Sequence, residues 1–149
     1  MSAKDIADIA QALRARHGCH TAILYGSHAR GEAAPGSDYD VAGFAPRDDV
    51  RRIGGPWRSS YLDVFIYPES RLDRADADVI GMRGGVVLFE RDGAGTRFLQ
   101  SLDALHARGP EPKKPEELAG LRAWCWKMLD RARREDAEGN HRRSWLLMT

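Results

Sequence analysis

The chain has 149 residues, of which 42% are hydrophobic, and carries a net charge of +1. This length and composition predict one globular domain, with room for a helical appendage. The near-neutral charge argues against an extensive nucleic-acid surface. No run reaches the roughly 18 apolar residues that span a membrane, and the first residues lack the apolar region of a signal peptide.

The first half of the chain predicts two helices and two strands around a glycine-rich segment. Ile6, Ile9 and Leu13 recur at helical spacing, so they predict a helix that ends at Gly18. Ser27 is expected to cap the second helix. In order, the predicted elements are a helix over 3–17, a buried strand over 21–25, a short helix over 27–30, a strand over 38–44, a helical turn over 48–53 and a loop over 54–56.

The second half predicts a continuation of the sheet and then a separate helical segment. The predicted elements are a strand over 61–67, a helix over 73–82, a strand over 85–89, a helix over 95–107 and a long helix after Pro115. The Pro- and Lys-rich stretch 110–115 is the expected linker between a domain over 1–109 and a helical segment over 116–149. This order of elements predicts an α/β (α+β) fold with a small sheet.

One stripe of the long helix is apolar and is expected to pack against other parts of the protein. It consists of Leu118, Leu121, Trp124, Cys125, Met128, Leu129 and Ala132. Cys19 and Cys125 both lie in apolar patterns far apart in the sequence. We therefore expect free, buried thiols in a reducing cytoplasm.

Two short motifs in the first half suggest metal and phosphate chemistry. Asp38 and Asp40 stand at i and i+2, so on a strand both carboxylates would face the same way. That pair suits Mg²⁺, which binds one or two carboxylates together with substrate phosphates. The turn at Gly26 and Ser27 could direct backbone N–H groups at those phosphates.

A third acid, Asp63, lies inside the most apolar predicted strand. It shares a face with Tyr61 and Phe65, and an unpaired carboxylate buried there would be costly. If the strands that carry Asp40 and Asp63 are neighbours, the three acids Asp38, Asp40 and Asp63 meet. Three carboxylates so close repel one another unless cations neutralise them, which fits a two-metal site for phosphoryl displacement.

Together these segments resemble the nucleotidyltransferase fold of the polymerase β superfamily, and more narrowly the minimal and kanamycin-nucleotidyltransferase-like proteins. The resemblance rests on Gly26-Ser-His-Ala-Arg-Gly31, on Ser37-Asp-Tyr-Asp40 and on Leu62-Asp-Val64. It implies a small mixed sheet with helices on one face, followed by C-terminal helices.

The resemblance also implies a reaction and a set of site residues. An acceptor hydroxyl would attack the α-phosphorus of an NTP, with ATP as the expected donor, and pyrophosphate would leave. Two Mg²⁺ ions would be held by Asp38, Asp40 and Asp63, and Asp63 would help to deprotonate the acceptor. The nucleotide-binding residues would be Gly26, Ser27, Arg30, Gly31 and Ser37. His28, at the variable position of the motif, could contact nucleotide or face solvent.

The sequence leaves the acceptor open among a protein, a tRNA and a small molecule such as an aminoglycoside. A second possibility is an antitoxin-like module that binds and neutralises a helical HEPN-type protein, as the resemblance allows. The apolar C-terminal residues Trp145, Leu146, Leu147 and Met148 predict a homo-oligomer or a hetero-complex through the C-terminal helices.

Overall fold

The computed structural model describes residues 3–110 and 112–138. The chain divides into two compact units, Met1–Gly109 and Pro110–Thr149. The first unit contains α1 (Ala3–His17), β1 (Thr21–Tyr25), α2 (Gly26–Arg30), β2 (Tyr39–Ala45), β3 (Arg51–Trp57), β4 (Ser60–Pro68), two 3₁₀ helices (Glu69–Asp73 and Ala77–Met82), β5 (Val86–Phe89) and α3 (Ala94–Arg108). The second contains α4 (Pro115–Ala137). Residues 145–148, for which the sequence predicts contact with a partner, lie outside the described residues.

The five strands form one mixed sheet in the order β3-β4-β2-β1-β5. Strands β2 and β4 are parallel, and the other neighbouring pairs are antiparallel. Because β2 and β4 run in the same direction, the N-terminal ends of both strands lie at the same end of the sheet. The predicted α/β class with a small mixed sheet is confirmed.

Helices pack on both faces of the sheet, whereas the resemblance implied helices on one face only. Alternating strand residues separate two cores, because successive side chains point to opposite faces. The first core joins α1 to one face through Ile9, Leu13, Leu24, Val41, Val64 and Ile66. The second joins α3 and the second 3₁₀ helix to the other face through Ile23, Ala42, Phe44, Val79, Met82, Phe98 and Leu102.

The prediction of a helical turn over 48–53 and a loop over 54–56 was wrong, because β3 occupies Arg51–Trp57. Among the residues that the structure describes, this strand lies at the edge of the sheet and pairs only with β4. An edge strand tolerates Pro56 and adjacent glycines because one side of its backbone makes no ladder bonds. A two-residue turn with Arg58 at φ 56° joins it to β4. The glycines and proline therefore mark an edge strand rather than a loop.

The continuous helix predicted over 73–82 was also wrong. One 3₁₀ helix ends at Asp73, residues 74–76 are not helical, and a second 3₁₀ helix occupies Ala77–Met82. Asp76 lies between them and accepts a hydrogen bond from the Asp78 N–H over 3.1 Å. Arg71 donates to both oxygens of the same carboxylate, over 2.9 and 2.6 Å. Such local side-chain bonds compete with a continuous helical ladder, so the chain breaks at Asp76.

The long helix α4 forms as predicted, but its apolar stripe is largely exposed. The exposed members are Leu118, Leu121, Trp124, Cys125 and Leu129. The expected burial of Cys125 was therefore wrong, while Cys19 is buried as expected. Among the described residues, no helix is long and apolar enough to cross a membrane.

Candidate functional site

A row of four residues crosses four strands and brings two of the predicted acids together. Tyr25 on β1 lies opposite Asp40 on β2, Asp40 opposite Asp63 on β4, and Asp63 opposite Gly54 on β3. Directly opposite residues on neighbouring strands point to the same face, with Cβ atoms about 5 Å apart. The strand adjacency on which the sequence argument depended is present, and the two carboxylates of Asp40 and Asp63 are neighbours.

The surroundings of Asp40 disfavour its charged form. Its pKa is raised chiefly by burial, and then by the negative charges of Asp63 and Asp38, while His28 and Arg30 act in the opposite direction. A neighbouring negative charge raises the pKa of a carboxyl because it repels the charged form of that group. This end of the sheet is therefore a small acidic cluster that a cation would stabilise.

Gly26, the first residue of α2, fits against the carboxylate of Asp40. A methyl group at residue 26 would overlap the Asp40 carboxylate, and the backbone φ of 73° lies in the left-handed region that glycine favours. Both constraints exclude a side chain at this position. The end of β1 and the start of α2 are therefore held directly beside the acid.

Ser27 lies inside α2 and does not cap it, so the expected capping role was wrong. The N-cap residue is Tyr25, and it makes no side-chain capping bond. The chain already enters the helix at Gly26, because the left-handed backbone of that residue turns it sharply out of β1. The backbone N–H groups of Gly26 and Ser27 nevertheless lie in the first turn of α2, and Gly26 itself lies against Asp40.

The loop between α2 and β2 is closed by three of the motif residues. Gly31 ends α2 in the left-handed conformation, with φ 74°. The Ser37 hydroxyl accepts a hydrogen bond from the Ala34 N–H over 2.9 Å. The His28 ring stacks on Tyr39 at 3.9 Å between centroids, and its Nε2–H donates to the Ser37 carbonyl over 2.9 Å. These contacts shape the loop that carries Asp38, and they give His28 a role that the sequence left open.

Asp38 and Arg30 lie at the outer side of the cluster. Asp38 is exposed and precedes β2, which begins one residue later than the predicted strand. Arg30 is also exposed, and its Nε donates to Glu32 over 2.8 Å. Both residues act on the Asp40 carboxyl through their charges. The structure thus places Asp38 and Arg30 near Asp40, but on the solvent side of it.

Arg52 is a site residue that the sequence did not indicate. Its Nε and Nη2 donate to the two oxygens of Asp63 over 2.8 and 2.7 Å. The carboxylate of Asp63, whose side chain is 14% exposed, is thus paired with a guanidinium of the protein. The sequence predicts a turn over 48–53, and side chains in a turn do not alternate between two faces. The sequence therefore could not assign Arg52 to the same face as Asp63.

Within residues 3–110 and 112–138, no group of three or more His, Cys, Asp or Glu side chains is arranged to hold a metal ion. Asp40 and Asp63 form a neighbouring pair, Asp38 stands outside it, and Arg52 occupies both oxygens of Asp63. Two carboxylates are the number that Mg²⁺ commonly takes from a protein when substrate phosphates complete its shell.

The fold and the acidic cluster agree with the comparison with known families. The family described as "Nucleotidyltransferase domain" matches residues 6–123. The chain belongs to this family, and it is a transferase of the nucleotidyltransferase class with a polymerase β-like fold. No curated protein matches the chain significantly.

Proposed function

We propose that the chain transfers the nucleoside monophosphate of an NTP, AMP from ATP, to an acceptor hydroxyl in a Mg²⁺-dependent reaction. The observation that carries the proposal is the pair of opposed carboxylates, Asp40 and Asp63, with Gly26 packed against the first. A bare backbone beside an acidic pair is what a site for a metal-bound triphosphate needs. ATP is proposed because it is the donor that the resemblance implies.

The donor set fits magnesium. Carboxylate oxygens are the hard ligands that Mg²⁺ prefers, and the raised pKa of Asp40 marks a charge that the protein alone does not neutralise. We propose that Asp40 and Asp63 hold the metal, with Asp38 reaching it from the exposed side. When bound, Mg²⁺ would neutralise the phosphate charge and align the triphosphate; two ions are the proposed number.

The other residues of the site have proposed roles in binding and proton transfer. The N–H groups of Gly26 and Ser27 bind the triphosphate, and Arg30 adds a positive charge beside it. The acceptor oxygen bonds to the α-phosphorus as the bond from that phosphorus to the β-bridging oxygen breaks, and pyrophosphate leaves. Asp63 takes the acceptor proton, for which one of its oxygens must first be released from Arg52. Gly31 and Ser37 support the nucleotide by shaping the loop.

Labelled substrate tests this proposal. The full chain is incubated with each α-labelled NTP, Mg²⁺ and a cell lysate, and labelled products are sized. Transfer is expected from the native chain and from Asp48→Asn, an exposed acid outside the site. It should fall by about 10²-fold or more in Asp40→Asn and Asp63→Asn. No label transfer from any NTP would contradict the proposed reaction.

A second candidate role, as a protein-binding module, is favoured by the exposed apolar stripe of α4. Trp124 is 59% exposed, and Leu118, Leu121 and Leu129 of the same stripe are 42%, 45% and 37% exposed. An apolar helix face of this kind usually marks an interaction surface. The partner that we propose is a second copy of this chain, bound through its own α4.

The charges of α4 do not set the direction of a second helix. Glu116 and Glu117 lie in its first turn, whereas Arg131, Arg133 and Arg134 are mixed with Asp130, Glu135 and Asp136 toward its end. A dimeric mass in light scattering at micromolar concentration, reduced to a monomer by Leu121→Glu, is expected. A monomeric native chain would contradict this and would leave a helical HEPN-type partner as the alternative.

A further inference from the structure

The third acid of the site is already occupied by a side chain of the protein. Arg52 binds both oxygens of Asp63, so each oxygen accepts one N–H bond. The Asp63 side chain is 14% exposed and that of Arg52 is 63% exposed. The guanidinium therefore covers the carboxylate from the solvent side, where a cation would have to approach.

The strand register explains how Arg52 reaches this position. Asp63 lies opposite Gly54, which has no side chain, and Arg52 lies two residues away on the same face of β3. Arg52 itself lies opposite Phe65, and its guanidinium carbon is 5.2 Å from the centre of that ring. The guanidinium is therefore held diagonally between an aromatic ring and the carboxylate, which are two partners that arginine binds well.

We propose that Arg52 is a built-in counter-cation of the site, which neutralises Asp63 until a divalent metal ion displaces it. This inference rests on the proposed role of Asp63 in metal binding. A guanidinium and a metal ion compete for the same oxygens, and arginine keeps its charge at every physiological pH. Arg52 is a positioning residue in this scheme, because it changes the affinity of the site for the metal ion and does not take part in the reaction.

Metal binding without nucleotide measures this competition. Mn²⁺ is titrated into the nucleotide-free full chain, and free Mn²⁺ is followed by its electron paramagnetic resonance signal. Arg52→Ala removes the competitor, so it should tighten Mn²⁺ binding by roughly fivefold, as expected for the loss of a largely exposed ion pair. Arg52→Lys should lie between the two, because a single ammonium cannot bind both oxygens in parallel.

Arg51→Ala is the matched control. Arg51 is the adjacent residue on the same strand, is also exposed and points to the opposite face. It removes the same charge without touching Asp63, so its Mn²⁺ affinity should stay near the native value. If Arg52→Ala does not fold, Arg52→Gln replaces it, because that side chain is also long but carries no charge.

Asp63→Asn separates failure of this inference from failure of the proposed metal site. Asp63→Asn should weaken Mn²⁺ binding. When Asp63 is already Asn, adding Arg52→Ala should no longer change the Mn²⁺ affinity. If Asp63→Asn weakens binding but Arg52→Ala does not tighten it, the metal site stands and the role of Arg52 is wrong. If neither Asp40→Asn nor Asp63→Asn changes Mn²⁺ affinity, the proposed metal site itself is wrong.

Discussion

The carboxylate of Asp40 fills the space that a side chain at residue 26 would need. Gly26 starts α2 directly after β1, and Asp40 lies on the adjacent strand β2. Gly26 and Asp40 are therefore coupled, although 13 residues lie between them in the sequence. The two motifs are one structural unit, and their coupling can be measured.

Gly26→Ala should lower stability for two separable reasons. The new methyl group overlaps the Asp40 carboxylate, and alanine is strained at a φ of 73°. We expect a loss of about 2 kcal/mol in the free energy of unfolding, measured by urea denaturation, together with loss of NMP transfer.

Gly36→Ala is the control for backbone strain alone. Gly36 has a φ of 85°, and a Cβ there would meet nothing within 4 Å. Gly36→Ala should lower the free energy of unfolding by about 1 kcal/mol. The double variant Gly26→Ala, Asp40→Ala should recover the part that comes from overlap, so the two effects will not add. Strict additivity would show that the contact with Asp40 carries no energy.

Asp40→Asn should stabilise the metal-free protein at neutral pH. Because the folded pKa of Asp40 is raised, the folded state holds this proton more tightly than the unfolded state does. Stability therefore falls as the pH rises from below 3.8 through the folded pKa, and stays reduced above it. The amide removes this loss, and we expect a Tm about 2–4 °C higher at pH 7.

The pH dependence of the same variant provides the check. The gain in Tm should shrink as the pH is lowered toward the range in which Asp40 is protonated, because both chains are then neutral at this position. Mg²⁺ should raise the Tm of the native chain more than that of Asp40→Asn. A lower Tm for Asp40→Asn at pH 7, with Asp48→Asn unchanged, would contradict a repulsive acidic cluster.

The parts of the site that sequence could predict are those with a clear local period. Alternation in 61–67 placed Asp63 with Tyr61 and Phe65, and away from the core residues Val64 and Ile66, as the structure has them. Asp40 faces Asp63 because their strands are neighbours, and no local sequence pattern shows which strands are neighbours. The sequence could therefore predict this contact only on the condition that the two strands lie side by side.

The parts that it could not predict depend on tertiary position. Gly54 and Pro56 favour a loop by local preference, and only their place at the sheet edge makes a strand possible. Arg52 was missed for the same reason. The 3₁₀ helices around Asp76 depend on its contact with Arg71, which no periodicity records.

The two cysteines should differ strongly in reactivity. Burial raises the pKa of Cys19 to about 11, and its sulfur lies where a side chain at Gly43 would be. Roughly one in ten thousand Cys19 thiols is then ionised at pH 7. Cys125 on α4 is exposed. Titration with a thiol reagent at pH 7 should show one fast thiol, which Cys125→Ser removes, and a second only after denaturation. Two fast thiols in the folded chain would contradict the packing of Cys19.

Glu90 should stabilise the start of α3 in a pH-dependent manner. Its carboxylate accepts bonds from the N–H and hydroxyl of Thr96, both over 2.8 Å, and these bonds hold its pKa below the usual 4.5. The stabilisation is therefore complete above pH 4.5 and is lost as the pH falls through the lowered folded pKa. Glu90→Gln should cost about 0.5–1 kcal/mol at pH 7, as loss of a helix cap does, and less in acid. Urea denaturation at several pH values measures this, with Asp48→Asn, an exposed acid outside α3, as control. An equal cost at every pH would show that the charge of Glu90 plays no part.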